Sequence, residues 1–392
     1  MFKSVAILGE SGVTGQAVAR VCKDLSISIV SPEFADVVVA SPGIPPSNYP
    51  EVGPPPISEI EFSFLLLKSK KPTIKLIGVT GTNGKSTVTS MIGHLLGCPV
   101  SGNIGIPLIN FVLGPDLPDY IVVELSSYQL ERCFVFCPDI SILLNITPDH
   151  LERHGSMDAY AKSKATIYKN QCKDQFLIYN EDDDRVIQLL GDVSVKAKVV
   201  PFSRKHRLMA KVESFQLGIH NALNAVAALL VIEVLGKSVD DGVEKLKHFS
   251  ALPHRLEFVK QVNDVSIYND SKSTNLDSTQ IAICSFKNPV HLIMGGKLKL
   301  YSDSDYRRFQ HYLKQHVCSL VVFGESASTL VEHYNTIVLL QVVSTMKDAL
   351  DISLKMSEPG DTLVFSPGYS SFDQFDNFEH RGTTFKEMVN AL

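Results

Sequence analysis

The chain has no excess of positive charge. Lys and Arg total 37 against 42 Asp and Glu, a net charge of -5 with a pI near 6.2. Displacing the counterions of a nucleic-acid backbone needs a basic surface, so no nucleic-acid partner is expected. Long apolar runs are also missing. The hydrophobic stretches are strand-length, far short of the ~20 residues that span a bilayer, so no membrane partner is expected. Met1 to Gly9 is a short apolar run into a glycine turn, not a secretory signal, and a cytoplasmic location is expected. Cysteine is sparse: of seven, only Cys133 and Cys137 stand close together. No second Cys/His pair completes a zinc set, so reduced thiols are expected. There is no internal repeat and no low-complexity tract.

What is present is an ordinary soluble composition, 44% apolar over 392 residues. At roughly 100–200 residues per domain, that length suggests two to four domains. Short β-rich runs alternate with helical patterns. Val5–Leu8, Val37–Ala40, Leu76–Thr80, Tyr120–Glu124 and Ile140–Asn145 read as buried strands. Several end in Gly, Ser, Thr or Asn, where parallel sheets carry their ligand loops. The expected class is α/β with mostly parallel sheets. A proline-rich stretch, Pro42 to Pro56, reads as loop, and a helical segment, Ser58–Lys71, follows it. Breaks near residue 66 and near Ser250–Pro253 divide the chain into a small Rossmann-like domain (1–66), a central P-loop-type domain (67–251) and a Rossmann-like C-terminal domain (252–392).

The strongest local pattern is the strand Leu76–Thr80, then Gly81-Thr82-Asn83-Gly84-Lys85-Ser86-Thr87, then a helical run Val88–Leu96. Backbone N–H groups at a helix N-terminus suit a phosphate, Lys85 suits the β/γ-phosphates and the Ser86 hydroxyl suits Mg²⁺. Val79 stands where the strict P-loop has glycine, so the loop is a Gly-x-x-Gly-Lys-Ser variant. Glu124 ends one apolar strand, and Asp149 and His150 follow another. Alone, each reads as a cap or a polar loop residue. Downstream of a phosphate loop they become candidate metal ligands. Lys162 and Lys164 lie in a helical pattern and, on residue type, read as solvated.

Three further clusters stand at element ends. Gly9 to Gly15 follows the first strand as Gly-x-x-Gly-x-x-Gly, either a diphosphate turn or a structural one. Ser31 stands where the second expected strand, Ile27–Val30, would present an acid to a ribose. His220-Asn221-Ala222-Leu223-Asn224 opens an apolar helix, where the two Asn either cap or bind a ligand. Asn269 to Asn275 and Ser366 to Phe375 crowd polar groups beyond strand ends.

Together these strings resemble the Mur ligases of peptidoglycan synthesis, and among them the branch that adds D-glutamate to UDP-N-acetylmuramoyl-L-alanine. The resemblance runs from the Gly9–Gly15 turn to Arg381. It includes Ser41-Pro42-Gly43-Ile44, Gly102-Asn103-Ile104-Gly105, Glu124–Glu131, Asn145–His154, Pro253-His254-Arg255 and Glu257. It implies an ATP-dependent enzyme in which Gly81, Thr82, Asn83, Gly84, Lys85, Ser86 and Thr87 hold ATP phosphates. Asn221, Asn224, Arg255 and Asp270 would lie on the ATP side, with Lys272 near the transferred phosphate. Ser86 and Glu124 would bind one Mg²⁺, and His150 with Lys164, as a carbamate, a second. Thr14, Ser41, Gly43, Asn103 and Gln129 would contact the UDP-sugar, and Thr274, Lys299, Ser371 and Phe378 would face D-glutamate. A monomer is expected. The chain departs from the family at Ser31, at Tyr128 and in Gly295-Gly296-Lys297-Leu298-Lys299-Leu300, where Lys297 competes with Lys299 for the D-glutamate role. The rivals are a sister ligase with another acceptor, folylpolyglutamate synthase included, and a non-catalytic nucleotide-binding module.

Overall fold

Parallel strands buried on both faces need continuous apolar runs, and those runs form three sheets in the computed structural model, which describes residues 2–114, 116–215, 218–249, 252–299 and 301–392. The first sheet holds β1 (Ser4–Leu8), β2 (Ser28–Ile29), β3 (Val37–Ala40) and β4 (Ile57–Ser58) in the order β2-β1-β3-β4, all parallel. The second holds β5 (Lys75–Thr80), β6 (Val100–Gly102), β7 (Tyr120–Glu124), β8 (Ile140–Leu143), β9 (Phe176–Asn180) and β10 (Lys198–Phe202). Its order is β10-β9-β8-β5-β7-β6, again all parallel. The third holds β11 (Glu257–Val262), β12 (Val265–Asn269), β13 (Val290–Gly295), β14 (Val317–Phe323), β15 (Leu339–Val342) and β16 (Thr362–Gly368). It runs β11-β12-β16-β13-β14-β15, and the β11–β12 hairpin is its antiparallel pair.

The chain divides into two compact units, residues 1–216 with 221–249, and residues 217–220 with 250–392. The first unit contains the first two sheets, which share one continuous core. Val5, Val18 and Val39 join Ile121, Leu143 and Ile167 in it through Ile60, Phe62 and Leu67 of the helix Glu59–Lys70. That helix runs unbroken through residue 66. Ser58 caps it, its hydroxyl accepting from the Glu61 amide at 3.1 Å. In the second unit the period-two alternation of strands separates two cores. Leu292, Met294, Leu320, Val322 and Val364 face one; Ile293, Val321, Leu363 and Phe365 face the other.

Two expectations change. Of Ile27–Val30 only Ser28–Ile29 forms strand, with the Val30 amide donating a last bond to Val5 O at 3.0 Å. Ser31 is extended before Pro32, which lacks an N–H and opens a single 3₁₀ turn, Pro32–Phe34, so the strand stops there. The phosphate-loop helix begins at Lys85, earlier than the expected Val88. Leu300 and part of the Ser250–Pro253 break lie outside the described residues. All seven cysteines are free. Among the described residues no helix is long and apolar enough to cross a membrane.

Candidate active site

In the second sheet β5 lies between β8 and β7, so the chain leaves β5 toward one side and later returns on the other. Ligands of open α/β sheets bind beyond the strand ends at such a reversal. The loop after β5 is built for close backbone approach. Gly84 has φ +86°, and a Cβ there would stand 2.6 Å from Asn224 Oδ1. At Gly81 a Cβ would meet Leu144 Cβ at 2.9 Å. Asn145, beyond β8, clamps the loop: its Oδ1 accepts from the amides of Thr82 (3.1 Å) and Asn83 (2.8 Å), and its Nδ2 donates to Asn83 O (3.0 Å). Thr82 Oγ1 adds bonds to Thr147 O (3.2 Å) and the Tyr160 hydroxyl (3.1 Å). Lys85 Nζ donates to Gly81 O (2.9 Å) and Thr82 O (2.8 Å), folded over its own loop.

Lys164 reaches the same place. It is buried on the helix Met157–Lys169, and its Nζ donates to Gly81 O at 2.9 Å and lies 4.5 Å from the Tyr160 ring centre. The solvated reading is therefore overturned for Lys164. Burial first, then the neighbouring Lys85 ammonium, hold its amine well below the ordinary lysine value, while Asp149 and Glu124 pull the other way. Glu124, ending β7, is buried. Its Oε1 accepts from Asn103 Nδ2 at 2.8 Å, and its Oε2 is buried with no hydrogen-bond partner among the described residues. Such an oxygen is costly to leave unsatisfied unless a ligand takes it. Ser86 is buried in the first turn of the adjacent helix.

His150 lies past the 144–148 loop rather than directly on the strand end. It caps the one-turn helix Leu151–His154 from the left-handed region, φ +53°, and its ring packs 4.9 Å from Tyr128. Tyr128 and Gln129 come from the helix Ser127–Leu130. Gln129 has a structural use as well: its Oε1 accepts from Ser126 N (3.0 Å) and Oγ (3.1 Å) in a capping box.

The Gly9–Gly15 turn and the Ser41–Ile44 loop meet at the ends of β1 and β3. Ser41 Oγ donates to Gly9 O at 3.2 Å. A Cβ at Gly15 would come within 2.2 Å of Gly9 O, so only glycine fits. Thr14 lies in the first turn of the helix that follows, Val13–Asp24. Asn221 and Asn224 lie on the helix Ile219–Val234.

In the second unit, Asp270 is buried beyond β12. Its Oδ2 accepts from Ser366 Oγ (2.8 Å) and its Oδ1 from the Leu256 amide (3.1 Å). Burial pushes its carboxyl up to about 7, against those two bonds and the Arg255 and Arg381 charges. Lys272 Nζ stands 3.6 Å from the centre of the Phe378 ring, a cation–π geometry. Thr274 follows in the same loop, before the helix Leu276–Ile283. Lys297 is exposed, and its amide bonds Ser370 O at 2.8 Å, beside buried Ser371. Lys299 Nζ lies 5.4 Å from the Tyr301 ring. Sequence reasoning missed the role of Arg381. Fully buried, it donates to Ser271 Oγ (3.0 Å), Ser271 O (2.8 Å) and Tyr369 O (3.0 Å), so one side chain joins the loops after β12 and β16. It also missed Asn145 as a clamp. A polar side chain at a buried strand end beside a glycine loop was the available signal.

Comparison with known proteins agrees with this geometry. Residues 79–232 match the family model of the Mur ligase middle domain, and residues 254–368 that of the Mur ligase glutamate ligase domain. The chain is 35% identical over 385 residues to a UDP-N-acetylmuramoylalanine–D-glutamate ligase of Geotalea uraniireducens, spanning 92% of this chain and 84% of that one. A solved MurF from Acinetobacter baumannii shares the fold with a TM-score of 0.67 at 17% identity, over 99% of this chain and 90% of that one. MurF ligase from Thermotoga maritima, solved with ADP, gives 0.66 at 17% identity, over 99% and 94%. A glycine loop whose Gly81 carbonyl takes two lysines, carried on this fold with both family models matched and this extent of identity, means that the chain belongs to the Mur ligase family.

Proposed function

We propose that the chain ligates D-glutamate to UDP-N-acetylmuramoyl-L-alanine at the expense of ATP, a step in peptidoglycan precursor synthesis. The observation that carries this reading is the convergence of Lys85 and Lys164 on Gly81 O beside Glu124, inside a glycine loop at a sheet reversal. The names of relatives about 35% identical over most of the chain supply the acceptor.

The terminal carboxylate of the UDP-sugar attacks the γ-phosphorus of ATP, ADP leaves, and an acyl-phosphate forms. The free amine of D-glutamate attacks the acyl carbon, phosphate departs, and the new nitrogen loses its proton. The loop amides of residues 81–87 and the Lys85 charge fit the ATP phosphates. Asn224, against Gly84, and Asn221 are assigned to ATP, as are Arg255 and Asp270, with Lys272 assigned to the transferred phosphate. Glu124 Oε2 and the Ser86 hydroxyl are oxygen ligands suited to one Mg²⁺, and His150 with a carbamylated Lys164 to another. Among the described residues no three His, Cys, Asp or Glu converge. Mg²⁺ commonly takes one or two protein oxygens and fills the rest from phosphate and water. Bound Mg²⁺ would neutralise charge on the transferring phosphoryl group. Thr14, Ser41, Gly43, Asn103 and Gln129 are assigned to the UDP-sugar, and Thr274, Lys299, Ser371 and Phe378 to D-glutamate.

On this reading the chain is a cytoplasmic monomer of three functional domains, 1–66, 67–251 and 252–392. Phosphate release is expected with D-glutamate and not with L-glutamate, L-alanine, D-alanine or diaminopimelate. Release with another amino acid moves the chain to a sister ligase. ATP binding without release, whatever the acceptor, favours a binding module. Lys85→Ala should abolish turnover, and near-normal rates in it would sink the phosphate-loop assignment.

A further inference from the structure

The helix Leu151–His154 is a single turn. One turn fixes several dihedrals for one or two hydrogen bonds and is not stable alone. Yet this turn begins at His150. Its last two side chains moor it. Arg153 Nη2 donates to Glu131 Oε2 at 3.0 Å, and its guanidinium carbon lies 4.9 Å from the Tyr128 ring centre. His154 Nε2 stands 3.0 Å from Ser127 Oγ, and its Nδ1 stands 3.4 Å from Glu131 Oε1. Both partners belong to the Gln129 helix or its immediate end.

Arg153 makes one contact more. The same Nη2 donates to Ile44 O at 3.2 Å, in the loop that joins Ser41 and Gly43 to the glycine turn. This bond crosses from the second sheet's loops to the first sheet's. The arrangement is not optimised for stability: Arg153 Nε is buried and has no hydrogen-bond partner among the described residues. A desolvated guanidinium N–H left unsatisfied is unfavourable. An apolar side chain would fill the space without that cost.

We propose that Arg153 is a positioning residue that couples the Ser41–Ile44 loop to the one-turn helix presenting His150. Through this tie, ordering of the loop by a bound UDP-sugar braces the His150 helix, and the helix in turn holds the loop ready for that substrate. The tie itself rests on geometry. Its role in substrate binding rests on the function proposed above.

Two variants test it in the full-length protein, Arg153→Met and Arg153→Lys. Without ligand, amide hydrogen exchange in residues 41–45 and 149–155 should quicken in Arg153→Met, while residues 81–87 keep their protection. By calorimetry, the Kd for UDP-N-acetylmuramoyl-L-alanine should rise about tenfold, with no change in the Kd of a non-hydrolysable ATP analogue. In turnover, KM for the UDP-sugar should rise while KM for ATP does not. Arg153→Lys, which keeps a donor, should recover part of the loss. Unchanged exchange in both segments would overturn the tie. A joint loss of sugar and nucleotide affinity with a lowered Tm would also overturn it, leaving Arg153 a general structural residue. If the exchange result holds but the wild-type chain does not bind the UDP-sugar, the tie stands and the functional reading fails.

Discussion

A buried amine is chemically different from a solvated one. Lys164 Nζ faces Gly81 O in the interior, and its lowered proton affinity favours the neutral amine. Only the neutral amine adds to CO₂, forming a carbamate and releasing one proton. Arginine stays protonated and cannot follow. Lys164→Arg is therefore expected to lose turnover by on the order of a hundredfold or more. Stripping CO₂ from wild type should lower its rate and bicarbonate should restore it; a rate indifferent to CO₂ would refute the carbamate. Asp270 gives a second prediction at this scale. Its carboxyl is raised from the ordinary 3.8 to about 7 by burial. A raised folded value means the stability it contributes is fully present below about 3.8 and is lost as pH rises through about 7. Asp270→Asn should remove that slope, gaining up to about 4 kcal/mol relative to wild type at pH 8 compared with pH 4. Urea unfolding across this range measures it, and parallel pH profiles for the two proteins would contradict it.

At the scale of elements, the helix Glu59–Lys70 joins the first two sheets by polar as well as apolar contacts. Buried Glu61 accepts from the amides of Val135 (2.7 Å) and Phe136 (2.8 Å), and buried Glu59 from Ile109 N (2.6 Å) and Ser63 Oγ (2.8 Å). Each carboxylate satisfies groups on a loop of the second sheet from a helix that follows the first. Glu61→Ala should cost about 1–3 kcal/mol, because it strands the buried Phe136 amide and the part-buried Val135 amide. Chemical denaturation of the first unit is the check, and a loss under about 0.5 kcal/mol, the surface-substitution range, would mean that water replaces the carboxylate. Element positions were largely legible in the sequence, since β1, β3, β5 and β7 follow their apolar runs. The short β2 was not, because a run of apolar residues does not reveal that Pro32 ends its pairing.

For the whole molecule, three sheets are distributed over two compact units, and the first two sheets share one core. At this scale the acceptor profile is the test of the proposed function, because it reads the reaction of the full chain. Sedimentation at micromolar concentration should give a single species near 43 kDa, and a heavier species would replace the monomer reading.

By itself the sequence determined the α/β class, the phosphate loop and the family, because glycine spacing, strand-length apolar runs and ordered motifs are local properties of the chain. The tertiary structure decided which polar residues are buried and what they meet. Lys164 reads as a surface residue until a helix carries it under the Gly81 carbonyl. Arg381 and Arg153 acquire roles only when loops far apart in sequence close around them. Burial and long-range pairing depend on packing between elements, and no window of neighbouring residues contains that information.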